Sequence, residues 1–491
     1  MRHNMNKLTV LQQGLSSNFE IDNLLEVFVL KANVAHAEDE ADFISKLNTT
    51  HLGLRIVNDM QTIVIQMIQT KVLDSRTLFV CEHDVKMLKV LVKKNIYELL
   101  AQHFIPLSKW GILVGIRPVK IVHECMDEGM SLEAIRERLE SLYLIHRTKV
   151  DLMMEVAIKE RAYLYPNDPD AISLYLCIPF CPTRCLYCSF PSNDMKQKGK
   201  LLPEYMEKLE TETIHAIKHI KSLGKKVDCI YIGGGTPTSI SALQLESLLA
   251  VIKNHIDLSA VKEYTVEAGR PDTITREKLE IMKAYGVDRI CINPQTMDEK
   301  TLVTIGRAHD AQSITDVMQI AREVGFKTIN MDLILGLPGE TVVNSSKTIK
   351  RLLEMMPENI TIHTLAVKRA SRLNEDLDLY ELSHDATVEA MLDQAEMALR
   401  GQGISPYYMY RQKKMIGHLE NVGYSIMGHE SLYNMRIMEE KHTIIACGAG
   451  AVSKLCAPEE NRFERVANFK GLEDYLNRFD EILEKKTLLK K

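Results

Sequence analysis

The stretch Tyr175-Leu-Cys-Ile-Pro-Phe-Cys-Pro-Thr-Arg-Cys-Leu-Tyr-Cys-Ser-Phe190 carries three close cysteines, Cys181, Cys185 and Cys188, spaced Cys-x-x-x-Cys-x-x-Cys. An iron–sulfur cube takes four ligands, usually thiolates, so three thiolates on one loop can hold three irons and leave the fourth open to a small molecule. An open iron points to chemistry rather than electron storage. Zinc competes for such residues, but structural zinc sites normally close with two short-spaced ligand pairs, and no second Cys-x-x-Cys or His-x-x-x-His follows. A disulfide framework is the weakest reading, because ten cysteines in 491 residues is a modest share and the N-terminus does not read as a secretory signal. A cytoplasmic chain with reduced thiols is expected.

Working outward from the cysteines, residues 171 onward alternate strand and helix, the pattern of parallel strands joined by crossover helices. The expected strands are Ser173–Phe180, Cys229–Ile232, Glu263–Ala268, Arg289–Asn293, Thr328–Ile334 and Asn359–Val367. The helical stretch Pro203–Leu223 places Met206, Leu209, Ala216, Ile220 and Leu223 near one face. Six such units predict an incomplete barrel, although periodicity also allows an open doubly wound sheet. A parallel barrel carries its functional groups at the C-terminal ends of its strands. The conspicuous residues collect there: the cysteine loop, Gly233-Gly-Gly-Thr-Pro237, Glu267, Gln295, Asp332 with Gly336-Leu-Pro-Gly339, and His363 with Ala366. The three glycines let backbone approach a ligand closely, though a plain strand-to-helix turn has the same composition.

Residues 1–165 form an N-terminal α+β extension whose role the sequence leaves open. His51–Val57 and Gln61–Met67 read as a strand pair around Asn58-Asp59, and Asp84–Phe104 has helical periodicity. Further helices are expected over 131–142 and from Thr148 toward Tyr165, the latter capped by Thr148-x-x-Asp151. Gly115-Ile-Arg-Pro118 reads as a turn entering a helix, with a docking element as the alternative. Tyr165-Pro-Asn-Asp-Pro-Asp170 marks a boundary. A barrel over 166–380 and a C-terminal substrate-covering α/β region over 381–491 complete the division. Lysine and arginine total 61 against 66 aspartates and glutamates, a net charge of −5, so there is no basic field for nucleic acid. No apolar run approaches the roughly 20 residues of a membrane span. The 24 methionines read as adaptable core filler.

The cysteine spacing, with the aromatic Tyr187 before the last ligand, resembles the radical S-adenosylmethionine (SAM) superfamily. Ile178-Pro-Phe-Cys181 narrows the resemblance to the oxygen-independent coproporphyrinogen III oxidase (dehydrogenase) family, and it extends from about Ser173 to Ala370. Thr265-Val-Glu-Ala-Gly-Arg-Pro271, Ile292-Asn-Pro-Gln-Thr296 and the N-terminal extension are similar to the HemZ-like variant branch. The resemblance implies a partial (β/α)6 TIM-like barrel and a 4Fe-4S cluster held by Cys181, Cys185 and Cys188. Carried over position by position, it implies that Tyr175, Gly234, Glu267 and Ala366 contact the SAM on the cluster. Gly235, Thr236, Gln295, Arg307 and Asp332 match positions that the family associates with a second SAM. Taken singly, each has a bland alternative, such as an ion pair for Glu267 or a surface charge for Arg307.

The activity so implied is oxidative decarboxylation of two propionates of coproporphyrinogen III to vinyl groups, giving protoporphyrinogen IX. A porphyrinogen substrate, a small flavodoxin or ferredoxin as electron donor, and a monomeric state go with it. Tyr407-Tyr-Met-Tyr-Arg-Gln-Lys-Lys414 interleaves aromatics with cations, and Arg411 is the expected propionate contact because its planar fork binds carboxylates bidentately. Ile444–Ala451 reads as a strand and tight turn near the same covering region. Two departures bear on the activity: Cys177 stands where the family usually has histidine, and Phe190 where its dehydrogenases tend to carry another cysteine. Cys-Leu-Tyr-Cys-Ser-Phe instead resembles the haem-chaperone branch. A haem-binding trafficking protein is therefore the alternative, with a radical methyltransferase acting on haem as a third reading.

Overall fold

Leu8–Gln13 forms the strand (β1) around which the first unit is built, with Leu8, Val10 and Leu11 almost wholly buried. It pairs in parallel with β2 (Val34–Ala37) and β3 (Gly53–Asn58), and antiparallel β4 (Thr62–Ile68) and β5 (Val72–Phe79) extend the sheet in the order β2-β1-β3-β4-β5. Alternation decides the face of β4: Ile63, Ile65 and Met67 are buried while their neighbours are partly exposed, as a half-covered sheet requires. The expected hairpin forms because the Asn58 side chain accepts from the Met60 N–H and that of Asp59 from the Gln61 and Thr62 N–H groups. This side-chain capping of a turn is what Asn and Asp are suited to. The helix Val85–Ala101 is capped by Asp84, and Leu132–Ser141 by Ser131.

The computed structural model describes residues 7–80, 84–114, 117–457 and 462–488. Gly115 and Ile116 of the expected turn lie outside these. Two compact units divide at Met154/Glu155, inside the helix Arg147–Leu164 and ahead of the Tyr165-Pro166 break. Among the described residues no helix is long and apolar enough to cross a membrane.

In the second unit the expected parallel strands are β6 (Ala171–Ile178), β9 (Lys226–Gly234), β10 (Glu263–Gly269), β11 (Arg289–Ile292), β12 (Thr328–Leu335) and β13 (Asn359–Thr364). A short pair, β7 (Phe180–Cys181) with β8 (Asn193–Asp194), brackets the cysteine loop. Five more strands follow: β14 (Ser405–Tyr410), β15 (Asn421–Ser425), β16 (Ile444–Cys447), β17 (Val452–Ala457) and β18 (Arg462–Ala467). The order β14-β15-β13-β12-β11-β10-β9-β6-β16-β17-β18 leaves the sheet unclosed, which is the partial TIM-like barrel. Ile444–Cys447 forms the expected strand. It is a seventh parallel strand of the barrel sheet, paired with β6 from Ser173 to Leu176. The C-terminal chain thus extends both edges of the barrel sheet.

The helix Leu432–Glu439 plugs the end of the barrel where the strands begin. Arg436 clamps Asp228 of β9 through two hydrogen bonds of 2.6 and 2.9 Å and also reaches Ser173 of β6. Glu263 of β10 accepts from the Leu432 and Tyr433 N–H groups and from the Ser431 hydroxyl, capping the same helix with a carboxylate, the charge its N-terminus favours. Arg289 of β11 lies 3.5 Å from Glu263 and donates to Asn330 and to the carbonyls of His429 and Glu430. A second buried network ties the tail to the barrel. Glu212 accepts from Gly448 N–H, Asn468 and Tyr475, and pairs with Lys486 at 2.9 Å.

Breaking one partner of a buried pair leaves an uncompensated charge. Arg436→Met is expected to cost about 3 kcal/mol, read as a lowered urea midpoint. Among the described residues Asp228 would keep only the exposed Lys262 as an ion-pair partner, 3.1 Å away.

Candidate functional site

The cysteine loop is held by backbone before any side chain acts. Cys177 and Ile178 at the end of β6 stand in register with Gly233 and Gly234 of β9. The contact continues past the sheet as Gly235 N–H donates to the Ile178 carbonyl at 2.9 Å and Thr236 N–H to that of Phe180 at 2.8 Å. A Cβ on Gly235 would lie 2.6 Å from the Phe180 oxygen and 2.9 Å from Cys181 Sγ; on Gly234, which has φ +115°, it would meet Cys177 Sγ at 2.8 Å. Only glycine permits this approach. The Thr236 hydroxyl is 3.5 Å from Cys181 Sγ.

Four more contacts fix the rest of the loop. Arg270, buried beyond β10, donates to the Thr183 carbonyl and hydroxyl at 3.2 and 2.8 Å while its other nitrogens clasp Asp272. Arg307, also buried, donates to the Asn293 carbonyl at 2.6 Å and to the Tyr187 hydroxyl at 3.2 Å. Leu186 bonds through backbone to Ile305 and to Leu373, and Arg184 donates to the Ala370 carbonyl.

The donor set suits an iron–sulfur group. All three cysteines are free thiols, with Cys185 buried and Cys181 and Cys188 partly exposed. Burial pushes the Cys181 thiol up and that of Cys188 to about 11, so both carry protons that iron must displace. The glycine cradle beside Cys181 completes the fit.

Strand ends supply the remaining groups. Glu267, at the end of β10, accepts from the Tyr231 hydroxyl at 2.6 Å and from Gly234 N–H. Burial, opposed by the Tyr231 hydrogen bond and reinforced by Asp332, pushes its carboxyl up to about 7. Tyr231 stacks on Tyr433, 4.3 Å between centroids, and both rings lie about 6 Å from that of Tyr175. Gln295 follows β11 with φ +68°, held by backbone bonds to Asp332 and Ile334. Among the described residues its buried Oε1 has no hydrogen-bond partner, an omission that costs about 1–3 kcal/mol until a donor arrives. Asp332 faces His363 Nε2 at 3.8 Å, and His363 Nδ1 meets the Tyr410 hydroxyl at 3.2 Å. Ala366 bridges to Met415 just past β13.

Two sequence readings acquire different surroundings. Arg411 is 5% exposed and its guanidinium donates to the carbonyls of His418 and Leu419, so the fork expected for a propionate is engaged by its own loop. Cys177 lies in the barrel wall, packed with Ala446 and Ala451, and burial pushes its thiol up to about 12. Sequence reasoning passed over Arg270 and Tyr433. Arg270 stood within a quoted motif, Thr265–Pro271. Tyr433 carries no local signal, since only the plug helix brings it to Tyr231.

The Radical SAM superfamily model matches residues 175–352. A solved structure of coproporphyrinogen III oxidase (HemN) from Escherichia coli, a radical SAM enzyme, superposes with a TM-score of 0.51 at 23% identity, covering 66% of this chain and 72% of that one. The second unit is therefore a radical SAM barrel, a fold of iron–sulfur and SAM proteins. The oxygen-independent coproporphyrinogen-III oxidase-like protein HemZ of Bacillus subtilis is 37% identical over 95% of this chain and 94% of its own length. The chain belongs to that HemZ-like family. The heme chaperone HemW of Bacillus subtilis is 37% identical over 40% of this chain and 51% of its own length. The oxygen-independent coproporphyrinogen III oxidase of Escherichia coli is 30% identical over 46% and 49%.

Gly235→Ala is expected to reduce iron and sulfide per chain to below about half of wild type, because the added methyl displaces the loop, while circular dichroism is unchanged. Glu340 gives a pH signature of its own: it is 4% exposed, accepts from Thr296 at 2.5 Å, and burial pushes its carboxyl up to about 7. A carboxyl raised above its ordinary value of about 4.3 stabilises the fold below that pH and loses this contribution as pH rises through about 7. Denaturant midpoints of the cluster-free protein should therefore fall between pH 5 and 8 by on the order of 2 kcal/mol from this group. Glu340→Gln should flatten that part of the profile.

Proposed function

We propose that the chain is a radical SAM enzyme converting coproporphyrinogen III to protoporphyrinogen IX by oxidative decarboxylation of two propionates. One observation carries the reading: the three-cysteine loop, Glu267, the unpartnered Gln295 oxygen and the Asp332–His363 pair all occupy the C-terminal ends of one set of parallel strands. The likeness to the HemZ protein over nearly the whole chain supports it.

In this reading Cys181, Cys185 and Cys188 hold the 4Fe-4S cluster. Tyr175, Gly234, Glu267 and Ala366 surround the SAM bound to it, with Tyr187 packed beside the loop. When bound and reduced by one electron from a flavodoxin- or ferredoxin-like carrier, the cluster and its SAM would supply the hydrogen-abstracting radical chemistry that attack on a propionate carbon needs. The chain orients and shields. Glu267 in its ionised form accepts the ammonium of SAM. Gly235, Thr236, Gln295, Arg307 and Asp332 line the place of a second SAM, where the Gln295 oxygen takes the donor it lacks. His363 lies between Asp332 and the Tyr410 hydroxyl at the mouth. Cys177, buried in the wall, takes no part.

Haem carriage is the second reading, favoured by the 37% identity to a heme chaperone over 40% of this chain. Anaerobic incubation of the reconstituted protein with SAM, reductant and coproporphyrinogen III separates the two. Vinyl product accompanied by deoxyadenosine is expected, whereas stable haem uptake without turnover would replace the enzyme by the carrier. Arg411→Gln tests the propionate contact through the porphyrinogen KM with substrate-free SAM cleavage as control. An unchanged KM leaves Arg411 to its own loop.

Glu267 makes SAM binding pH-dependent. Its carboxyl titrates near 7, and protonation below that pH removes the charge that pairs with ammonium. The SAM dissociation constant should therefore rise as pH drops from 8 to 6. Glu267→Gln should weaken binding about tenfold or more at pH 8, the value of one charge-assisted hydrogen bond, and abolish the pH dependence.

A further inference from the structure

Immediately outside the cysteine loop the surface is cationic in a protein whose net charge is −5. Arg184 lies in the loop beside Cys185 and reaches the Ala370 carbonyl. Lys368 and Arg369 precede Ala370, and Arg372 follows. Leu373 then turns in to bond Leu186. From the facing loop the Lys414 carbonyl accepts from Val367 N–H at 3.2 Å. That bond, with the Ala366–Met415 bridge, brings the Lys414 side chain to Lys368. Burial, and then the charge of Lys414, hold the Lys368 amine below its ordinary value.

These charges lack counterparts. Arg369, Arg372 and Lys414 are exposed and Lys368 is half-buried. Among the described residues none of the four has an ion-pair partner, although Glu375, Asp376 and Asp378 follow in the same segment. Like charges held together by backbone raise the energy of the isolated chain and fall silent when an anionic surface covers them. Phe190, two residues beyond Cys188, is 68% exposed and adds an apolar contact at the edge of the same loop.

We infer that Arg184, Lys368, Arg369, Arg372 and Lys414, with Phe190, form the docking surface for an acidic electron-carrier protein with a low-potential flavin or iron–sulfur centre. The inference rests on the reading of the cysteine loop as an iron–sulfur site that must be reduced from outside. One electron leaves the carrier's reduced centre and enters the group held by the loop. The carrier is oxidised by one electron, the group is reduced by one, and no bond or proton passes between the proteins. Exposure favours a protein over the substrate: Arg369, Arg372 and Lys414 point outward into solvent, where a second macromolecule can meet several charges at once.

The test measures binding of fluorescently labelled oxidised flavodoxin, and separately of a plant-type ferredoxin, to the full chain, with and without its cluster. Wild type should bind at least one carrier at low salt and lose it near about 0.5 M salt, where charges beyond a few ångströms are screened. The triple variant Arg369→Glu, Arg372→Glu, Lys414→Glu should weaken binding about tenfold or more, cluster present or not. Its SAM cleavage with dithionite should remain at the wild-type rate. If the triple variant does not fold, Arg369→Gln and Lys414→Gln should each weaken binding in part. The docking surface is overturned if wild type binds neither carrier, if the variants bind unchanged, or if they instead raise the KM for coproporphyrinogen III with carrier binding intact. Failure of wild type to cleave SAM with dithionite strikes the enzymatic reading, and the binding measurements report on the surface regardless.

Discussion

Two backbone segments, Ile178–Cys181 and Gly233–Thr236, lie against each other with no room for side chains between them, and the candidate site depends on that approach. The parallel pairing of β6 and β9 runs past its last ladder position into two more hydrogen bonds, so the cysteine loop leaves the barrel on a rigid base. Glycine raises the entropy lost on folding, and here the return is position: Cys181 Sγ sits where a Gly235 methyl would otherwise press. Arg270, Arg307 and the Leu186 backbone bonds then fix the far side of a loop whose near side is already set.

Where the strands begin, Asp228 meets a charge, Glu263 helix N–H groups and Arg289 backbone carbonyls, all supplied by the segment 429–439, which is how a low-dielectric interior tolerates ions. Where the strands end, polar groups remain incompletely served. Glu267 is pushed up toward neutrality and the Gln295 oxygen has no donor. Carboxyls of perturbed affinity and orphaned acceptors mark a functional end. The plug helix serves both, because Arg436 closes the bottom while Tyr433 on the same helix stacks beneath Glu267's partner Tyr231.

Much of this was legible from local pattern. All six barrel strands overlap their expected ranges because a buried parallel strand is a short apolar run bounded by turn residues, and that signal is complete within each segment. Glu267, Gln295 and Asp332 could be placed at one mouth for the same reason: parallel strands align their ends whatever the loops do. Long-range pairing was not legible. Ile444–Cys447 has the composition of many strands, and only its register with Ser173–Leu176 makes it part of the barrel wall. Arg411 shows the same limit for a single side chain, since an arginine reads identically whether its guanidinium will meet a carboxylate or, as here, two carbonyls.

The cysteine spacing, the glycine run and the strand-end residues by themselves determined the chemistry class, because ligand spacing and backbone access are properties of a few consecutive residues. Which charges are neutralised and which face solvent follows from long-range packing. Arg411 and Arg436 are absorbed by buried carbonyls and carboxylates, while Lys368 and Lys414, far apart in the chain, are brought together at the rim by one backbone pairing. Partner choice for a long cationic side chain depends on the surroundings that folding supplies, and no local pattern encodes those.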